Sequence, residues 1–425
     1  MKKSSKSIKF ICLILLIIAV LISVVIALNK KRSSSEAKSY LEGSITFLSN
    51  RTDKREELKA LTEEFELEYP KVKVNLELKG DAEEILQRKA SVSELPDVTL
   101  VPSVISSKEF KDYFLPLDDL GFKGDDIYDY NVGMGDDGYL YNLTTCVNWQ
   151  GVIYNKSIFN DAGISELPKT KEDFLKCCTK LKSIGVTPIA INYKQSWAMN
   201  IWMDIIPYLF DTNLENNIIT KSNDILGDNS GVYKSLEFIR SIVKDGYCED
   251  ELLNYDWEQC KKDIKNGKIA MIIWSSDFKN QLEDIGMDKK IIDMFPIPES
   301  KVIKVVGDYR FGVSRNSQHP NVAKEFLKFI FQEDRYAKAV NITSTIKRSK
   351  ETISMIKSLE KFNMPIEIQG DVIRKQTVEE AEIHDKYFNN RKTTGLDAKF
   401  VQKYVIDSDS NITRNEINKE WKSFK

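Results

Sequence analysis

Two histidines, His319 and His384, are all the chain has, and both stand in polar surroundings far apart. No H-E-x-x-H, C-x-x-C or G-x-S-x-G run occurs, so zinc hydrolysis and serine-nucleophile chemistry lack their starting residues. Gly133-Met134-Gly135-Asp136-Asp137-Gly138 does spell G-x-G-x-x-G. A dinucleotide site needs a strand before it, a helix after it and a turn friendly to anions. Here two aspartates sit inside the run and an extended Tyr-Leu-Tyr segment follows, so a flexible turn is expected. Asp125, Asp126, Asp129, Asp136 and Asp137 lack the alternating ligands and closing Glu of a calcium loop and read as solvated loop charge. With 64 acids in the chain, no carboxylate pair can be singled out for glycoside hydrolysis. Nothing calls for a metal or a cofactor.

Aromatic residues beside polar loops are more informative. Trp149, Trp197 and Trp274 each stand near a strand end or in a loop among Asn, Gln, Ser or Asp. An indole face matches the apolar C–H face of a sugar ring, while Asn, Asp and Arg match its hydroxyls. A core role is the alternative for each. Trp202, Trp257 and Trp421 fall in helical patterns and read as packing residues.

These residues need a frame. Ile45–Leu48 is a short strand, and Leu58, Leu61, Phe65 and Tyr69 recur at helical spacing until Pro70 stops them. Val72, Val74, Leu76 and Leu78 alternate with polar residues as a strand, a helix follows over Ala82–Ala90, and Leu95–Val101 is a third strand. Alternating strands and helices imply a largely parallel sheet, with ligands beyond the carboxyl ends of its strands. That points to the loops Ser49–Asp53 and Pro102–Ser106. A second such pattern begins at Val152–Tyr154 and continues through a helix over Ser157–Ala162. The next helix has Thr170 at its cap and Asp173 three residues on, the spacing of a capping box. Further strands are expected at Pro188–Ile191 and Ile269–Trp274, with an extended Val305–Val313. A helix over Val322–Phe331 and a mostly helical tail complete the pattern.

Composition sets the compartment. Formal net charge is −2, from 62 basic and 64 acidic residues, but residues 1–32 carry seven bases and no acid. The rest is therefore −9, which does not suit a nucleic-acid binder. Phe10–Leu28 is apolar apart from Ser23, and its 19 residues make roughly 28 Å of helix, about the thickness of a bilayer core. With Lys2, Lys3, Lys6 and Lys9 before it and no good cleavage site after it, an uncleaved membrane anchor is expected; a cleaved signal peptide is the alternative. Cys12 opens the apolar run instead of following it, so lipidation there is not expected. Residues 1–9 would be cytoplasmic and 29–42 a tether. The other cysteines, Cys146, Cys177, Cys178, Cys248 and Cys260, are odd in number and widely spaced; buried apolar roles are expected, with one disulfide left open.

The order of segments resembles the extracellular solute-binding proteins of bacterial carbohydrate ABC importers, the family that includes maltose-binding protein. The resemblance covers Gly43–Lys350. It rests on Ile45-Thr46-Phe47, on Phe65–Pro70 with Val72 and Val74, and on Pro96-Asp97-Val98 and Leu115–Leu120. It continues in Ile153–Phe159 with Pro168-Lys169-Thr170, then Asn266–Met271, Phe295–Pro298 and Ala323–Phe329. It implies an α/β, two-lobed periplasmic-binding-protein-like fold with a hinge and an interlobe cleft, behind the N-terminal transmembrane helix. Lobe one would be 43–148 and 306–333, and lobe two 149–305 and 334–425.

Position by position, the resemblance puts stacking aromatics at Trp197 and Trp274 and a polar contact at Asn148. The first loop supplies Arg51 and Asp53, and the loop after Val101 supplies Ser103. Where the family has glycines after the cleft-crossing segment this chain has Gly307-Asp308-Tyr309-Arg310, so Asp308 and Tyr309 would line the cleft. A non-catalytic, monomeric receptor is implied, held on the outer face of the cytoplasmic membrane, taking a sugar or oligosaccharide and handing it to ABC permease subunits. A module of the same fold serving a sensor kinase or a non-sugar ligand, and an extracellular glycan enzyme, are the competing readings.

Overall fold

A computed structural model describes residues 41–424. The expected membrane helix at 10–28, Cys12 and nearly all of the tether lie outside the described residues. Among the described residues no helix is long and apolar enough to cross a membrane. Nine strands are described: β1 (Gly43–Ser49), β2 (Val72–Leu78), β3 (Val98–Leu100), β4 (Asn142–Asn155), β5 (Thr187–Ala190), β6 (Ile269–Ser275), β7 (Ile292–Phe295), β8 (Ile303–Val313) and β9 (Ile366–Ile368).

The chain forms two compact units. The first runs through Gly121 and takes in Gly135–Asn142 and Phe311–Val340; the second holds Phe122–Met134, Leu143–Arg310 and everything from Asn341 onward. The chain passes between the units at 121–122, 134–135, 142–143, 310–311 and 340–341, where the sequence reading had breaks at 148–149, 305–306 and 333–334. Asn148, Asp308 and Tyr309 consequently belong to the second unit.

In the first unit β1 lies between β2 and β3 and is parallel to both, with Ile45 opposite Val74 and Phe47 opposite Val98. The end of β8 adds to β3 in the antiparallel sense, Val313 facing Val98. Period two shows in β2, where Val72 and Val74 are buried and Lys73 and Asn75 exposed. Helix Arg55–Glu68 turns Leu58, Leu61 and Phe65 inward, and helix Pro320–Phe331 supplies Phe326. Phe47 meets Phe326 at 5.1 Å and Phe311 at 5.4 Å between ring centroids, and Phe65 meets Phe326 at 5.1 Å. These tilted and edge-on pairs add to the area they bury.

The second unit is built on β4, which pairs antiparallel with β6 and with β7, while β5 runs parallel to β6. Nearly all of β4 is buried, so its sequence shows no alternation; only Val152–Tyr154 was legible as strand, and the polar Asn142, Thr144, Thr145 and Asn148 masked the rest. The helices Gly231–Lys244 and Ala398–Ile406 pack together, and Arg240 of the first donates at 2.6 Å to the carbonyls of Tyr404 and Asp407. The tail is helical as expected apart from β9, which pairs parallel with β8.

Thr170 caps its helix by accepting from the Asp173 amide at 3.1 Å. The reciprocal half of a capping box is replaced: Asp173, a methylene shorter than Glu, accepts from the Thr170 hydroxyl at 2.8 Å. A complete box occurs instead at Thr377 and Glu380. Of the glycine-rich run, Gly133 ends the 3₁₀ turn Tyr130–Gly133 and Gly135–Gly138 form a tight turn closed by the Gly138 amide on the Gly135 carbonyl at 2.9 Å, with Gly138 at φ +82°. The five described cysteines are all free and buried.

Candidate functional site

Strands β5 and β6 run side by side, Ala190 opposite Ile272, so the residues that follow them leave the sheet at one carboxyl edge. Glu249, itself buried, accepts the Ile191 amide at 2.8 Å and the Tyr193 amide at 3.2 Å, which fixes the chain leaving β5. Desolvation pushes the Glu249 carboxyl upward against those bonds. Next comes the short helix Ser196–Met199, with Ala198 and Met199 buried and Trp197 38% exposed. Trp274 stands near the end of β6, opposite Gly151 of β4, and is half-buried.

A third indole completes a cluster. Trp257 opens the helix Trp257–Lys265, which Asp256 caps by accepting the Gln259 amide at 2.8 Å. Centroid distances are 5.0 Å for Trp197–Trp257, 5.5 Å for Trp197–Trp274 and 5.1 Å for Trp257–Trp274, all edge to face. Phe278 backs Trp257 at 4.9 Å. Trp257, read from sequence as packing, does pack against the core around Phe278, and its ring also meets the other two indoles. Its helical position carried no signal beyond its neighbour Asp256. Trp149 goes the other way: it is buried, packs on Phe362 at 5.7 Å and belongs to the core.

Polar groups of the second unit gather around the turn after β6. Asp277 accepts from the Ser275 hydroxyl, from Gln281 Nε2 at 3.1 Å and from the Tyr309 hydroxyl at 3.4 Å. The Ser276 amide donates to the Trp149 carbonyl at 3.0 Å, tying this turn to β4. Asn148 is fully buried; its Nδ2 donates to Cys146 Sγ at 3.3 Å and its Oδ1 has no partner. Asn192 repeats the arrangement, with Nδ2 on Cys260 Sγ at 3.3 Å and Oδ1 unpartnered, and Gln195 Oε1 is also without a donor. Buried acceptors left open are costly and call for a donor. Tyr309 has φ +48° and its carbonyl accepts from Thr145 Oγ1 at 3.0 Å. Its amide donates to Asp308 Oδ1 at 2.6 Å. Solvent reaches the Asp308 side chain while protein crowds around it. Desolvation, reinforced by the charge of Asp277, pushes its carboxyl up to about 6 against the bond from the Tyr309 amide.

The second unit therefore holds two groups: Trp197 and Trp274 with Trp257, and Asp308 and Tyr309 with Asp277; Asn148 is buried in β4 of the same unit. The remaining expected residues belong to the first unit. There Arg51 holds Asp53 with a two-pronged contact, Nε and Nη2 each 2.9 Å from a carboxylate oxygen. Ser103 gives its amide and hydroxyl to Glu83 Oε1 at 2.8 and 2.5 Å.

The second of the two αβ units thus carries an aromatic cluster and open amide oxygens on the segments around the carboxyl ends of β5 and β6. Residues 49–335 match the family described as bacterial extracellular solute-binding protein, and the chain belongs to that family. It is 22% identical over 328 residues to the multiple sugar-binding protein of Streptococcus mutans, an overlap of 73% of this chain and 76% of that one. Among solved structures, it is similar to a manno-oligosaccharide specific solute binding protein of Bifidobacterium animalis subsp. lactis in complex with mannotriose. That likeness has a TM-score of 0.75 at 22% identity and covers 92% of this chain and 95% of that one. A sugar transporter protein of Bacillus licheniformis in complex with stachyose gives 0.65 at 15% identity, covering 90% and 98%. At such identities the structural likeness establishes the fold.

Proposed function

We propose that this protein is the extracytoplasmic binding component of an ABC importer for a sugar or oligosaccharide, which it returns unchanged to the permease subunits. The carrying observation is the three-tryptophan cluster, with Trp197 exposed and the open oxygens of Asn148, Asn192 and Gln195 on the neighbouring segments. Indole faces take the C–H side of a pyranose, and the oxygens take its hydroxyl protons. Relatives whose names or bound ligands are saccharides support the same reading. The proposal extends to Arg51, Asp53 and Ser103 of the first unit as further sugar contacts, and to a monomer tethered to the membrane by Phe10–Leu28.

A thermal-shift screen of the purified protein against mannobiose, mannotriose, raffinose, stachyose and their monosaccharides tests it. A true ligand at 100 times its Kd adds about 2.7 kcal/mol of stability. A screen in which no saccharide raises the melting temperature contradicts the reading, as does a ligand recovered cleaved.

A further inference from the structure

Asp129 is 3% exposed and adopts φ +56°, a backbone conformation that costs a non-glycine residue energy. Its carboxylate joins two distant segments. Oδ1 accepts the Gly370 amide at 2.7 Å, at the start of helix Gln369–Lys375, and Oδ2 accepts the Gly307 amide in β8. Both partners have to be glycine. A Cβ at Gly370 would lie 2.6 Å from Asp129 Cα, and one at Gly307 would lie 2.6 Å from Thr144 Cγ2. Asn131 Nδ2 closes the clasp from the other side, donating to the Gly370 carbonyl at 3.1 Å. Gly307 immediately precedes Asp308 and Tyr309, whose turn bends through φ +48° at Tyr309. A residue in that conformation stays there only if its neighbours are held.

We propose that Asp129 is a positioning residue of the binding site: by pinning Gly307 to Gly370 it sets the backbone that presents Asp308 and Tyr309. The inference rests on the proposed sugar-binding role of those two residues. Two backbone donors need two acceptor oxygens. A carboxylate supplies both, whereas an amide of the same shape supplies one and turns an NH2 toward the other N–H. The aspartate is therefore required by chemistry and not by volume. The clasp also makes the C-terminal segment at Gly370, remote in sequence, part of what shapes the site.

Hydrogen exchange on the full chain at about pH 7.5, above the Asp129 carboxyl's value of about 6 so that both oxygens accept, tests the clasp without ligand in the wild type, Asp129→Asn and Gly370→Ala. Exchange at Gly307, Asp308 and Tyr309 should rise by about tenfold or more in both variants, with the amides of β6 unchanged. Unchanged exchange at 307–309 overturns the proposal, and so does an equal rise in β6, which would mark general loosening. In the saccharide screen both variants should then bind more weakly than the wild type. A wild type that binds none of those saccharides refutes the sugar reading and leaves the exchange result to decide the clasp.

Discussion

Replacing Trp197 by Ala should separate binding from folding. Trp197 is 38% exposed, on a four-residue helix whose buried anchors, Ala198 and Met199, remain in place. A pyranose stacked on the indole removes about 80 Å² of apolar surface from water, worth roughly 2 kcal/mol at 25 cal/mol per Å². That corresponds to an affinity loss of about 30-fold, since 1.4 kcal/mol is tenfold. What folding loses is smaller. The ring meets Trp257 and Trp274 edge-on, and such pairs are worth about 0.5–1.5 kcal/mol each when well buried; with a ring this exposed the sum should be roughly 1–2 kcal/mol. At 2–4 °C per kcal/mol for a unit of this size, the melting temperature should fall by about 2–8 °C. Calorimetric titration with the saccharide giving the largest thermal shift measures the first quantity, and scanning calorimetry of the unliganded protein the second. Affinity within about threefold of wild type, with a clear loss of melting temperature, would falsify the platform role and leave Trp197 as packing.

Trp274→Ala should behave differently, because that ring borders two apolar clusters; unliganded stability should drop by about 3–5 kcal/mol, checked by urea unfolding. Arg240→Ala should cost roughly 2–4 kcal/mol in the same assay, by leaving the carbonyls of Tyr404 and Asp407 without their buried donor. Burial raises the Asp129 carboxyl from 3.8 to about 6, against the bonds from Gly370 and Gly307. The folded state then holds a proton that the unfolded state has released. This contribution, about 3 kcal/mol, is fully present below pH 3.8 and lost as pH rises through about 6. Urea unfolding of Asp129→Asn between pH 4 and 6.5 should therefore show less loss of stability with rising pH than the wild type, and identical slopes would refute the assignment.

Local signals were legible where one face is wet. Leu58, Leu61 and Phe65 mark a helix with polar residues outward, Pro70 marks its end, and Val72 and Val74 alternate in a half-buried strand. They fail where an element is buried on every side, which is why β4 surfaced only at Val152–Tyr154. Two members of the aromatic cluster, Trp197 and Trp274, stood out in the sequence because polar residues flank them, and Trp149 shared that signature while packing on Phe362. Trp257 was not readable, because helical spacing describes its own helix and says nothing of the two indoles that meet it. Asp129 lies in a run of aspartates indistinguishable from solvated charge; only its contacts with glycines 178 and 241 positions away set it apart.

The most direct test of the central claim is a titration of intrinsic tryptophan fluorescence with mannobiose, mannotriose, raffinose and stachyose, since three of the six tryptophans share one cluster. At least one of these saccharides should give a saturable change at one ligand per chain, and Trp197→Ala should shift that curve to about 30-fold higher concentration. A folded wild-type protein whose emission none of them alters would contradict the account.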